Sequence, residues 1–315
     1  GTLVMSGGTV SSDGTSARTF ATNGLTLGGT VTMGDVTNNG TLTFGGTGTL
    51  SGNTTLTTAS DVVLGGALGG GFTLTKGGNG ELTLGGVNTF SGAVTVNGGT
   101  LTLNGGSAIP DGSAVTVTSP GVMKLGGSET IGSLAGNGGV NLQGNVLTVG
   151  GGATTLYSGV LSGAGGLTKS GAGVLTLSGL NTMSGGVTVN AGTVRVGNAG
   201  AFGTGTLAVN GGTVSSSTTS AYTLTNGYTL GGTVTLGDAT NNGALTMSGA
   251  GMLTAGLTLT VPSAVTFGGA LDLQGNGLGL NASATTVMSG VVSGTGGVTK
   301  SGAGALTLSG ANTFS

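Results

Sequence analysis

Side chains able to do chemistry are few: six Lys and Arg, eight Asp and Glu, and no His or Cys in 315 residues. Without imidazole or thiol there is no side chain that titrates near neutral pH unaided, no thiolate nucleophile and no usual structural zinc ligand. A disulfide framework is excluded with them. The carboxylates Asp13, Asp35, Asp61, Glu81, Asp111, Glu129, Asp238 and Asp272 are scattered along the chain. A glycosidase needs two acids flanking one bond, and a calcium-assisted lyase needs several acids and a base. A calcium-binding nonapeptide fails too, since Gly77-Gly78-Asn79-Gly80-Glu81-Leu82 has Leu where the ligand Asp belongs. No catalytic residue, cofactor-binding residue or metal site is assigned, and a non-enzymatic protein is expected.

Three further sets of residues repeat. Lys76, Lys169 and Lys300 occupy one turn of a recurring motif. They could form a basic row for acidic glycans, but three charges spread so widely make a weak field, so solvated turn charges that block aberrant strand pairing are expected. Asn88, Asn181 and Asn312 could line a ligand groove; a tight turn, or stacking inside a coil, explains them without a ligand. Thr-x-Thr units beginning at Thr30, Thr41, Thr55, Thr73 and Thr100 are similar to the surfaces of β-solenoid ice binders, yet their intervals vary from 11 to 27 residues. A single regular array is therefore not expected, and Thr reads as the default outward strand residue.

A net charge of -2 supplies too little positive potential to hold a phosphate backbone, so nucleic acid is excluded as a partner. No apolar run approaches the length of a membrane-spanning helix, and 3% aromatic residues cannot furnish the girdles of a membrane barrel, so this segment is not expected to insert.

The elements that must position these residues are short strands. Apolar-Thr-apolar triplets recur, among them Leu25-Thr26-Leu27, Leu82-Thr83-Leu84, Val94-Thr95-Val96 and Val187-Thr188-Val189. Such alternation turns Leu82, Leu84, Val94 and Val96 inward and Thr83 and Thr95 outward. Gly contributes 76 residues and Pro only three, which rules out collagen, while 36% hydrophobic content argues against disorder. Helical spacing is nowhere sustained. A sandwich of so many tiny strands would leave poor edges, whereas stacked coils pair every strand on both sides. The chain is expected to be an all-β, elongated parallel β-helix of about 20 residues per coil.

Internal repetition supports this. Residues 1–52 return as 205–256: Gly28-Gly29-Thr30-Val31-Thr32-Met33-Gly34-Asp35 parallels Gly231-Gly232-Thr233-Val234-Thr235-Leu236-Gly237-Asp238. A shorter motif occurs at Leu74-Thr75-Lys76-Gly77-Gly78-Asn79-Gly80, Leu167-Thr168-Lys169-Ser170-Gly171-Ala172-Gly173 and Val298-Thr299-Lys300-Ser301-Gly302-Ala303-Gly304, each followed by an apolar-Thr-apolar strand and an Asn-Thr turn. The whole of 1–315 reads as one continuous solenoid segment, with these strand repeats at 72–103, 167–196 and 298–315.

At these residues the sequence resembles the autotransporter-associated β-strand repeat of Gram-negative passenger domains. The resemblance implies a right-handed parallel β-helix exported through the outer membrane, with a C-terminal translocator barrel elsewhere in the protein. The lack of Cys suits such export. A secreted or cell-surface stalk or adhesin is expected, with a self-assembling filament or sheath subunit and a glycan-binding or glycan-cleaving β-helix as alternatives. The abrupt sequence at Gly1 and at Ser315 suggests an excised piece flanked by further coils, of its own chain or of a neighbouring copy associating end to end.

Overall fold

The computed structural model describes all 315 residues; it contains no helix, and its strands pair in parallel. The chain is the expected β-solenoid. Backbone contacts divide it into two compact units, residues 1–151 with 157–165 and residues 152–156 with 166–315.

In the first unit, Leu74–Gly77 pairs with Val94–Val96, which pairs with Ala114–Val117, each strand lying one coil beyond the last. The partner of Leu74 is Val94 and the partner of Val94 is Val115, so a coil takes 20 or 21 residues here. A second sheet of eight strands runs from Arg18–Phe20 to Leu161–Ser162. Alternation decides which side chains enter the narrow interior: Val94 and Val96 are fully buried and Thr95 half-buried, as are Leu82, Leu84 and Thr83. The register read from the triplets is the observed one.

The second unit repeats the plan with its own five-stranded sheet, Tyr222–Leu224 to Leu306–Leu308. The long repeat is visible in both units as long bent strands. Thr2–Val10 against Gly24–Met33 and Leu207–Ser216 against Tyr228–Leu236 each carry a register shift, between Met5 and Gly7 and between Val209 and Gly211. Gly29 and Gly232 sit at these bends with φ of 65° and 70°. A Cβ at Gly29 would lie 2.6 Å from the Ser6 carbonyl oxygen, so backbone conformation and crowding both demand glycine there. Asp35 and Asp238 then close equivalent turns, each accepting two backbone N–H groups, from Thr37 and Asn38 and from Thr240 and Asn241. Those hydrogen bonds, the larger from Asn38 and Asn241, hold both carboxyls below the ordinary Asp value; at Asp238 the Arg195 guanidinium adds to them.

Candidate functional site

The recurring polar residues of the motif meet inside the coils. Lys76 lies at an inward strand position, after Leu74 and Thr75, and is fully buried. Its alkyl stem can pack among apolar neighbours, but the ammonium must find acceptors. The Gly77-Gly78 turn wraps around it: Nζ donates to Gly77 O at 2.9 Å, Gly78 O at 3.0 Å and Gly98 O of the next coil at 2.9 Å. Three donors meet three acceptors, which satisfies the group. Burial pushes the Lys76 pKa down to about 8, opposed by the charge of Asp61.

Lys169 is likewise buried and donates to Gly171 O, and burial lowers its pKa as well. Lys300 is half exposed and donates to Ser301 O and Gly302 O. The expectation of solvated charges is therefore corrected for Lys76 and Lys169, while Lys300 remains partly exposed. Alternation already put the residue two after Leu74 on the core side, but a Lys surrounded by Gly reads as a loop residue until the turn carbonyls are seen to converge on it.

Asn88 is 5% exposed and bridges coils on both sides: Oδ1 accepts from Leu68 N and Nδ2 donates to Ala108 O, both at 2.7 Å. Glu129 continues the line by accepting from Ala108 N at 3.2 Å and Ile109 N at 2.9 Å. Positions 68, 88, 108 and 129 thus form a ladder of buried polar contacts with one rung per coil. Burial raises the Glu129 pKa to about 7; the two N–H donors pull the other way and Asp111 adds to the rise. Asn181 and Asn312 reach the same kind of partner, Ala201 O and Val292 N. Asn88 and Asn181 lie inside the coils, while Asn312 is half-buried, and these bonds run to backbone. Glu129 as part of this line was not legible in the sequence, because it belongs to no repeat.

Of the other carboxylates, Asp13 pairs with Arg18, Asp238 with Arg195 at 3.3 Å, and Asp61 accepts from Glu81 N at 3.0 Å. Asp272 takes part in a local turn through Gln274. Open depressions of about 260 Å³ between Asn39, Asp61 and Asn79, and of about 410 Å³ between Asn190, Asn210, Thr213 and Thr235, are lined by amides, hydroxyls and a single carboxylate, Asp61, together with Val36, Ala59 and Ala191.

The threonines require a second correction. Thr30 pairs with Thr55, Thr55 with Thr75, Thr75 with Thr95 and Thr95 with Thr116. A parallel column joins Thr9, Thr32 and Thr57. Uneven sequence intervals do not prevent alignment, because turns of different length absorb the difference between coils. The units at Thr41 and Thr100 go elsewhere, contributing Thr43 and Thr102 to the second sheet.

Among known families, the passenger-associated-transport-repeat matches residues 74–103, 167–196 and 298–315. The first match opens at Leu74, two residues inside the repeat as read from the sequence. No curated protein and no solved structure matches the chain. With this repeat in three places and a β-solenoid built around its buried Lys and Asn, the chain matches an autotransporter passenger repeat protein over those segments.

Proposed function

We propose that the chain is a non-enzymatic stalk or adhesin segment, carried through the outer membrane of a Gram-negative cell and displayed on or released from its surface. One observation carries this reading: Lys76, Asn88 and Glu129, which sequence chemistry would nominate for a site, spend their hydrogen bonds on the backbone of their own and adjacent coils. They stabilise stacking and are withheld from solvent. Coil-on-coil pairing makes each strand's backbone a partner of the next, the condition for a mechanically stiff support.

Cells displaying the chain should adhere to a host or abiotic surface, or hold a fused reporter away from the membrane, without releasing products from a panel of polysaccharides. Saccharide turnover that follows the purified chain would overturn the non-enzymatic reading. Electron microscopy distinguishes a separate stalk from continuous fibres formed by end-to-end association.

A further inference from the structure

The threonine columns of the first unit form a surface unlike the rest of that unit. The strands that build it, Thr2–Val10, Gly24–Met33, Gly48–Thr58, Leu74–Gly77, Val94–Val96 and Ala114–Val117, contain no aromatic residue, and their only charged residue is the buried Lys76. The second sheet of the same unit carries Arg18, Glu81 and Lys124 on its strands, with Phe20 and Phe44 stacked at 4.9 Å. Charge is thus segregated away from these threonines, while Phe44 is buried in the core. Thr54 and Thr58, which turn inward, bond their hydroxyls to backbone carbonyls. The hydroxyls of Thr30, Thr55, Thr75, Thr95 and Thr116 have no partner in the protein.

We propose that this face binds ice. Parallel pairing places successive threonines of a column about 4.8 Å apart, and the neighbouring column lies two residues along the strand, about 6.6 Å away. A β-branched side chain in a strand is stiff at χ1, so the methyls and hydroxyls of one column share an orientation. Each methyl orders the water around it, and each unused hydroxyl both donates and accepts. The result is a neutral row of anchoring points with a fixed repeat, two columns wide at Thr30/Thr32 and Thr55/Thr57 and one column wide through Thr75, Thr95 and Thr116, complementary to an ordered water lattice. A neutral face has nothing with which to attract a charged partner. A glycan is the poorer fit, because this face lacks the aromatic side chains that line small-molecule sites.

The test is ice recrystallisation inhibition and thermal hysteresis, measured on the folded chain and on variants whose circular dichroism and melting match it. The unaltered chain should facet ice crystals and suppress recrystallisation. Thr75→Tyr, which puts a bulky ring in the middle of the longer column, should abolish both effects. Thr83→Tyr, on the second sheet, should retain them. If Thr75→Tyr misfolds, Thr75→Ser removes only a methyl and should still weaken the effect. Ice that grows as unmodified discs in the presence of the folded chain would overturn the proposal. Equal losses from Thr75→Tyr and Thr83→Tyr would do the same. Retention on insoluble β-glucan that Thr75→Tyr abolishes, with no effect on ice, would assign the face to another partner and also reject it.

Discussion

The turns after Lys76 and Lys169 share one motif and end differently. In the first, three carbonyls surround the ammonium, the third contributed by Gly98 across the coil interface. In the second, Ala191 stands where the first repeat has Gly98, and Lys169 donates to Gly171 O. Both interfaces keep a glycine at the next position, Gly99 and Gly192, with φ of 56° and 70°. A Cβ at Gly99 would approach Gly78 O to 2.6 Å, and one at Gly192 would approach Lys169 Nζ to 2.9 Å. Motif spacing thus sends the lysine inward in both repeats, while the residue opposite it in the following coil differs, and with it the number of carbonyls the ammonium reaches.

The largest expected effect tests what the two repeats have in common. Val94 and Val187 occupy equivalent, essentially fully buried positions. Val94→Asp and Val187→Asp should each lower stability by about 3–5 kcal/mol, the cost of an unpaired buried charge, or uncoil the chain locally. Thermal melts that show either substitution to be harmless would break the equivalence.

A smaller effect should separate the repeats. Lys76→Met leaves three carbonyls without their donor, at about 1–3 kcal/mol for each group that remains buried. Lys169→Met removes fewer bonds and should cost less. Urea unfolding of the two variants measures the difference, and an equal loss would mean that the contact with Gly98 contributes nothing.

Smaller again are two pH dependences of opposite sign. Glu129 has its pKa raised from 4.5 to about 7, so the folded state binds the extra proton between those values and stability falls as pH rises through that window. Lys76 has its pKa lowered from 10.5 to about 8, so between those values the unfolded state binds the extra proton and stability rises with pH. Melting temperatures of the parent, Glu129→Gln and Lys76→Met across pH 5 to 10.5 should show each slope diminish in its own variant; slopes unchanged in both would assign them to other groups.

Least affected should be Thr95→Ser and Thr188→Ser, which remove one outward methyl from half-buried strand positions and should shift stability by less than about 0.5 kcal/mol. A larger loss at Thr95 than at Val94 on substitution would place the strand register one residue out.

Much of the fold was legible because a strand has period two. Val94-Thr95-Val96 announces its buried and outward sides locally, and the repeated motif announces that the same coil geometry recurs. Asn88 was readable as an interior or turn residue for the same reason, since its place in the repeat is constant. Lys76 was misread because its charge and glycine-rich setting suggest solvent, and only the convergence of Gly77, Gly78 and Gly98 carbonyls makes burial tolerable. Glu129 gave no signal, because its partners Ala108 and Ile109 are a coil away and its own position is not repeated.

The amino-acid sequence by itself determined the period-two alternation, the turn glycines and the motif spacing, and these specify parallel strands stacked as a solenoid. Those are local properties, set by sterics and by which side of a strand must leave water. Tertiary structure alone decided which residues of different coils stand side by side. Thr30, Thr55, Thr75, Thr95 and Thr116 are separated by 25, 20, 20 and 21 residues, yet occupy one column, because turns of unequal length absorb the surplus while backbone hydrogen bonds lock the strands in register.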